Sequence, residues 1–392
     1  MTQKKETAVV YIITKLELGG AQKVCLRLFH SVYEQGNFDT ILISGTDGKL
    51  VNEVANHTRA RLLPSLQREV SGLGLLQELR AFYTLVRTLK TIKKQYSHVI
   101  VHTHSTKAGI YGRWAAWCAG IHKLIHTIHG YGFHPYQHWI PWIIIFSLEW
   151  ITSLITTHFI CVSSYDALVG LRSFPWFDKK HSMIRAATDT TQFIPAQKTT
   201  LEASANSFIF GTVACFKPQK NIFDLLKAFL IVHQQHPHTR LEIIGDGILR
   251  KDIENWIQTH RLTDAITLHG WQENVSIHMQ RWHAFTLSSL WEGLPCAVIE
   301  ARLHKLPVLS YDTGGIKDVI THGANGLLCA QKDWLQLAHH MIEITQNTVL
   351  YEKMCNYSDI LQAYTPDSMV QEHIKLYKKH IDTMPHSKNK SI

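Results

Sequence analysis

The sequence predicts an α/β protein built of two doubly wound domains, and three observations predict it. Its 392 residues exceed what one hydrophobic core usually organises. Short apolar runs alternate with helical patterns in both halves, the signature of parallel sheets covered by helices. A polar stretch at 197–207 separates the halves and reads as a linker.

In chain order, the first half predicts a strand at 8–14, a helix at 20–35, a strand at 39–44, a helix at 75–94 and a strand at 99–102. A helix at 108–119 and a strand at 123–128 follow. The second half repeats the alternation, with strands at 208–215, 240–244, 265–268, 284–287 and 307–310. The expected layout is a first domain over 1–197, a second over 206–365, a C-terminal helix over 366–384 and a polar, disordered tail over 385–392. In doubly wound sheets ligands bind beyond the carboxyl ends of the strands, so the motifs at those ends are the ones to examine.

Composition narrows the function. The seven cysteines are scattered, contain no Cys-x-x-Cys and point to a reducing compartment, the cytoplasm. The apolar run at 8–13 is broken by Thr14 and Lys15 and reads as a first strand, not a signal peptide. The nearest approach to a membrane span, 139–162, carries Glu149 mid-segment. Burying that carboxylate in lipid costs about 2.5–3.5 kcal/mol on insertion scales, which argues against spanning. The net charge of +9 lies wholly in the first half, where 21 Lys and Arg face 12 Asp and Glu in residues 1–190, against 19 and 19 in the rest. A one-sided positive field suits an anionic surface or substrate there, and no nucleic-acid partner is expected.

The richest segment runs Ser288-Ser289-Leu290-Trp291-Glu292-Gly293-Leu294-Pro295-Cys296-Ala297-Val298-Ile299-Glu300. A strand ends near Leu287, Gly293 permits a close backbone approach, and Pro295 is placed as the first residue of a helix. Such a turn presents backbone N–H groups and a positive dipole end to a diphosphate. Glu292 in the loop and Glu300 more than one turn into the helix are positioned to accept hydrogen bonds from sugar hydroxyls at different depths. Solvated loop and helix charges are the plainer reading of the same spacing. In the first half, the Gly19-Gly20 turn between a strand and a helix has the same competence for a diphosphate, or serves packing alone. His129, ending the strand at 123–128 beside Gly130, offers an imidazole donor without formal charge at neutral pH.

Together these segments resemble the retaining glycosyltransferases of family 4. Glu292 and Glu300 match that family's Glu-x7-Glu motif. The surrounding order matches too: Gly19-Gly20-Ala21-Gln22, His102-Thr103-His104-Ser105, His126-Thr127-Ile128-His129-Gly130 and Cys161-Val162-Ser163-Ser164 in the first half. In the second half come Gly245-Asp246-Gly247, His269-Gly270-Trp271, Gly314-Gly315-Ile316-Lys317-Asp318 and Gly323-Ala324-Asn325-Gly326. The resemblance implies the GT-B architecture, two Rossmann-like domains facing across a cleft. It implies an enzyme that moves a hexose or N-acetylhexosamine from a nucleoside-diphosphate sugar, such as a UDP-sugar, to a hydroxyl of a glycan or lipid-linked acceptor, with retention. Lipopolysaccharide, capsule or another cell-surface polysaccharide is the implied product.

Carried over by residue, the resemblance gives Glu292 the donor sugar, Glu300 the ribose and Gly20 the diphosphate. Gly293, Leu294, Lys217 and Lys220 complete the donor site, and His129, Glu292 and Lys220 are the expected catalytic groups. Gln22, His104 and Lys107 are the expected acceptor contacts. The chain departs from the pattern at one place, where the family has Arg followed five residues later by Lys. Here Cys215 holds the Arg position and Lys220 the Lys position, leaving Lys217 as the substitute cation. That departure raises the alternative of a catalytically silent sugar-nucleotide-binding homologue.

No Asp-x-Asp pair is present to hold a divalent cation against a diphosphate, so no metal and no cofactor are expected. His102-x-His104 raises a metal-dependent hydrolase as a rival, which needs further ligands at other strand ends. Finally, 135–155 carries Trp139, Trp142 and Trp150 among isoleucines, and the helix at 75–94 adds Arg80, Arg87, Lys90, Lys93 and Lys94. Read as a surface, these residues attach the protein to an anionic membrane, on the inner face of the cytoplasmic membrane; read as a core, they are a buried helix and an ordinary one.

Overall fold

In the computed structural model, which describes residues 5–36, 38–66, 74–188 and 207–382, the chain divides into two compact units. The first comprises residues 1–187 with 366–392, the second 188–365. Most of the expected linker and the whole of the expected tail lie outside the described residues.

The first unit carries β1 (Lys5–Ile13), α1 (Gly20–Gly36), β2 (Asp39–Ser44), β3 (Ala60–Leu62), α2 (Gly74–Gln95), β4 (Tyr96–His104), α3 (Thr106–Cys118), β5 (Lys123–Ile128), α4 (Trp139–Ile155), β6 (His158–Cys161), α5 (Ser164–Ser173) and β7 (His181–Met183). Its sheet is seven-stranded, in the order β3-β2-β1-β4-β5-β6-β7. All six strand pairings are parallel. Alternation along the strands sends Ala8, Val10, Ile12, Val99 and Val101 to one face, where Leu85, Leu89 and Ile92 of α2 and Ala108, Ala115 and Ala116 of α3 cover them.

On β4, alternation puts His102 and His104 on the face opposite Val99 and Val101. There they meet α12 (Pro366–Asp382), which packs beside α1. Tyr377 of α12 bonds its hydroxyl to that of Tyr11 at 3.2 Å and to His102 Nδ1 at 2.6 Å. The C-terminal helix, anticipated as an element by itself, is therefore part of the first unit.

The second unit runs β8 (Phe208–Val213), α6 (Ile222–Gln235), β9 (Thr239–Ile244), α7 (Arg250–Thr259), β10 (Ile266–Gly270), α8 (Ser276–Met279), β11 (Ala284–Leu287), α9 (Cys296–Leu303), β12 (Val308–Tyr311), β13 (Gly326–Cys329), α10 (Trp334–Gln346) and α11 (Thr348–Asn356). Its six strands, also parallel, are ordered β10-β9-β8-β11-β12-β13. Phe210, Leu241, Ile243, Ala284 and Leu309 on the sheet pack against Leu225, Phe229, Ile253 and Met341 in a single core. The unit begins at Thr188 because that residue is bonded into it: its N–H donates to Tyr364 O at 3.1 Å.

Candidate active site

Each sheet winds outward from a central pair of strands, β1 and β4 in the first unit and β8 and β11 in the second. At such a switch point the loops leaving the two strands diverge and open a crevice at their carboxyl ends. In the second unit those loops are 214–221 after β8 and 288–295 after β11. Leu290 N–H donates to Gln219 O at 2.8 Å, Gln219 Nε2 to Trp291 O at 2.8 Å, and Ser288 Oγ reaches Lys220 O at 3.0 Å. The neighbouring loop after β12 presses in too: Gly315 N–H donates to Gly293 O at 2.7 Å. Gly314 has φ 52°, and a Cβ there would lie 2.1 Å from Glu292 O, so only glycine permits this approach.

The result is a charged pair across the switch point, with Lys220 Nζ donating to Glu292 Oε1. Both side chains are mostly buried, at 19% and 9% exposed. Gly293 and Leu294, in the same loop, are buried. Pro295, expected as the first residue of the helix, stands one position before it, because its ψ of 99° is extended and α9 starts at Cys296. Glu300, in the middle of α9, accepts a hydrogen bond from Thr188 Oγ1 at 2.9 Å. No sequence signal marks Thr188 as the partner of Glu300, 112 positions away.

The Gly245-Asp246-Gly247 loop after β9 closes the other side of the β8 loop. Gly245 has φ 131°, and a Cβ there would lie 2.0 Å from Ala214 O. Phe216 N–H donates to Asp246 O at 2.9 Å, fixing the backbone between Cys215 and Lys217. Lys217 directly precedes the single turn Pro218–Lys220, and its N–H donates to Cys215 O at 2.7 Å. Lys217 and Lys220 thus stand on one short, well-tethered loop with the half-buried Cys215.

In the first unit, Thr14 after β1 and Ser105 after β4 face each other across the switch point, Oγ to Oγ 3.3 Å. Gly20 opens α1 and is exposed, with Gln22 two residues further in, half-buried. His104 is fully buried and bonds through Nδ1 to His129 Nε2 at 3.0 Å. Burial, reinforced by His373, pushes the His129 imidazole down to about 3, so it is neutral at pH 7. Burial first, then His129 and His373, holds His104 well below the ordinary histidine value. Lys107, expected to meet the acceptor, is ion-paired to Glu78 of α2 at 2.6 Å.

The rival metal site is not built. His102 Nδ1 is bonded to Tyr377 and its Nε2 to Thr127 Oγ1 at 2.7 Å, so neither ring nitrogen remains to ligate. Among the described residues, Glu242, His269 and His278 form one cluster with ligand atoms within 4.8 Å of one another. Its carboxylate already accepts from Trp282 Nε1 at 2.9 Å and Arg281 Nη2 at 3.0 Å.

Two Rossmann-like units, the second with a Lys–Glu pair at its switch point and a second glutamate eight residues on, fit a glycosyltransferase of GT-B architecture. The comparisons agree. "Glycosyltransferase Family 4" matches residues 18–179, and "Glycosyl transferases group 1" matches residues 194–359. The Escherichia coli UDP-Gal:alpha-D-GlcNAc-diphosphoundecaprenol alpha-1,3-galactosyltransferase is 30% identical over 342 residues, 85% of this chain and 86% of that protein. Anabaena HepE, solved in complex with UDP and glucose, superposes with a TM-score of 0.78 at 16% identity, covering 95% of this chain and 99% of that one. Sucrose-phosphate synthase from Thermosynechococcus elongatus superposes at 0.79 with 17% identity, covering 97% and 100%. The chain belongs to glycosyltransferase family 4 and is a glycosyltransferase.

Proposed function

We propose that the enzyme moves a hexose or N-acetylhexosamine from a UDP-sugar to a hydroxyl of a lipid-linked glycan, with retention, in the assembly of a cell-surface polysaccharide or glycolipid such as lipopolysaccharide or capsule. It works without a metal, in the cytoplasm, against the inner face of the membrane. The observation that carries the reading is the Lys220–Glu292 pair at the β8/β11 switch point. The Escherichia coli relative takes UDP-galactose and a diphosphoundecaprenol-linked acceptor by name, and HepE binds UDP, which supports this choice of donor and acceptor class.

In this scheme the ammonium of Lys220, with Lys217 beside it, takes up the charge that grows on the diphosphate as its bond to the sugar breaks. Glu292 receives sugar hydroxyls, Glu300 the ribose, and Gly293 and Leu294 line the donor. In the first unit Gly20 admits the diphosphate by its backbone. The neutral His129 donates to the sugar or phosphate, while Gln22 and Lys107 serve the acceptor side, Lys107 after release from Glu78, and the fully buried His104 acts there only through its bond to His129.

The test is transfer from a panel of radiolabelled UDP-sugars to a short-chain polyprenyl-diphosphate-linked N-acetylglucosamine, with and without a chelator. One donor transferred equally well in both conditions, to an α-linked product, is the expected result. No transfer from any UDP-sugar, or transfer abolished by the chelator, overturns the corresponding part of the reading.

A further inference from the structure

Helix α4 is inside out. A helix on a soluble domain turns its apolar stripe to the core and its polar face to water. In α4 the buried positions are the polar ones, Glu149, Thr152 and Ser153, whereas the inward-facing Trp142, Ile145 and Phe146 are only partly covered, packing beside Phe133 and Phe174. Arg113 of α3 holds Glu149 through Nη2 at 2.7 Å, and Trp114 Nε1 donates to Thr152 Oγ1 at 2.9 Å. The outer face is apolar: Trp139, Ile144, Leu148, Trp150, Ile151 and Leu154 are each at least 36% exposed. Glu149 is the only charged residue in the helix, so that face carries no charge along its whole length.

Its surroundings say what covers it. α2, α3 and α4 pack side by side as one layer. The exposed stripe of α2 continues the apolar surface with Leu76, Leu79 and Tyr83, then turns cationic at the exposed Arg87, Lys90 and Lys94. At the other end of α4, Lys180 Nζ donates to Thr156 O at 3.1 Å, beside the exposed Lys179. An uncharged apolar ridge flanked by cations, in the half of the chain that holds all nine excess positive charges, complements an anionic lipid surface, with apolar side chains in the acyl boundary and ammonium groups at the phosphates. No helix among the described residues is long and apolar enough to cross a membrane, so such attachment lies in the interface.

We propose that α4 lies in the plane of the bilayer as an interfacial helix, its outer face inserted and the cations of α2 and of 179–180 on anionic headgroups. This rests on the lipid-linked acceptor reading only for the reason the enzyme needs a bilayer. The experiment is sedimentation of the full chain with sucrose-loaded phosphatidylcholine vesicles, with and without 30% phosphatidylglycerol. The wild type, Ile144→Glu/Ile151→Glu and Lys90→Glu/Lys94→Glu are compared, with thermal melts to verify folding and light scattering to give oligomeric state. The wild type should sediment with the anionic vesicles, the α4 double variant should lose at least tenfold in partitioning, and the α2 variant should lose the preference for phosphatidylglycerol. Both variants should keep wild-type turnover on a water-soluble acceptor analogue, a readout that tests the enzymatic reading separately. A wild type that stays in the supernatant, an α4 variant that sediments equally, or a wild-type dimer that the α4 substitutions split without any vesicle binding would each overturn the proposal.

Discussion

Lys220 and Glu292, 72 residues apart in sequence, form an ion pair that bridges the two strands from which the second sheet winds outward. The pairing holds the ammonium where a diphosphate is expected before any ligand arrives, and leaves the other carboxylate oxygen of Glu292 outside the pair. Such preorganisation matters because a cation already in place stabilises the transition state without reorganising at the moment of reaction. Lys220→Ala should therefore lower kcat more than it raises the Kd for nucleoside diphosphate. A raised Kd with kcat unchanged would show that the lysine acts in binding alone.

Lys217 stands two residues beyond Cys215, which holds the position where the family pattern has an arginine. If it supplies the second charge, Lys217→Ala lowers kcat by roughly 10²-fold or more, the size of one lost electrostatic donor. Cys215→Arg in the same chain should restore part of it. Steady-state turnover at the wild-type rate in Lys217→Ala would assign the leaving group to Lys220 alone.

The two glutamates should separate by ligand. Glu300→Ala is expected to weaken binding of free UDP, whereas Glu292→Ala leaves it nearly intact and impairs sugar transfer, since free nucleotide retains the ribose but not the sugar. Titration calorimetry on both variants decides this, and equal losses of UDP affinity would refute the division.

Arg113 and Glu149 are 0% and 8% exposed, so removing one leaves the other as an uncompensated buried charge. Glu149→Leu should cost about 3–5 kcal/mol, read from denaturant unfolding. Arg113→Met/Glu149→Leu together should recover much of that loss, because two apolar groups leave no orphan charge. A double variant no more stable than the single one would mean that the bonds from Arg113 to Gly109 O and Thr156 Oγ1 matter more than the ion pair.

Acid should destabilise the first unit. His102, His104, His126, His129 and His373 are all lowered, chiefly by burial, with His129 at about 3 and His373 at about 4. The folded state keeps them neutral while the unfolded chain takes up protons near the ordinary value of about 6.5. Their contribution is thus complete above about pH 6.5 and falls progressively as the pH drops towards 4 and below. Thermal melts at pH 7.5, 6 and 5 should show a falling Tm, with a smaller fall in His373→Gln. A Tm unchanged over that range would contradict the buried, neutral state of the cluster.

Much of this protein was legible in its sequence because local periodicity survives folding. The strands at 39–44, 123–128 and 284–287 have the bounds their apolar patterns gave, and α1 begins at the Gly20 that follows the first strand. Others were longer than the pattern: β4 extends over Tyr96–His104, because pairing with both β1 and β5 carries polar residues such as His98, Thr103 and His104 into the strand. Loop chemistry was legible too, since a glycine required at a positive φ, as at 245 and 314, stands in the sequence as a glycine.

Pairing over distance was not, because nothing in a run of residues records which side chain lies opposite. Only the tertiary structure decided that Lys220 reaches Glu292, that Thr188 holds Glu300 and that Tyr377 from the C-terminal helix meets Tyr11 at a separation of 366 positions. It also decided which way α4 faces. Its apolar composition reads equally as a core helix or a surface one, and a buried carboxylate needs a partner to be tolerated. Arg113, 36 residues earlier on a neighbouring helix, supplies that partner, and with Glu149 drawn inward Ile144, Leu148 and Ile151 face outward, while Trp142, Ile145 and Phe146 pack inward.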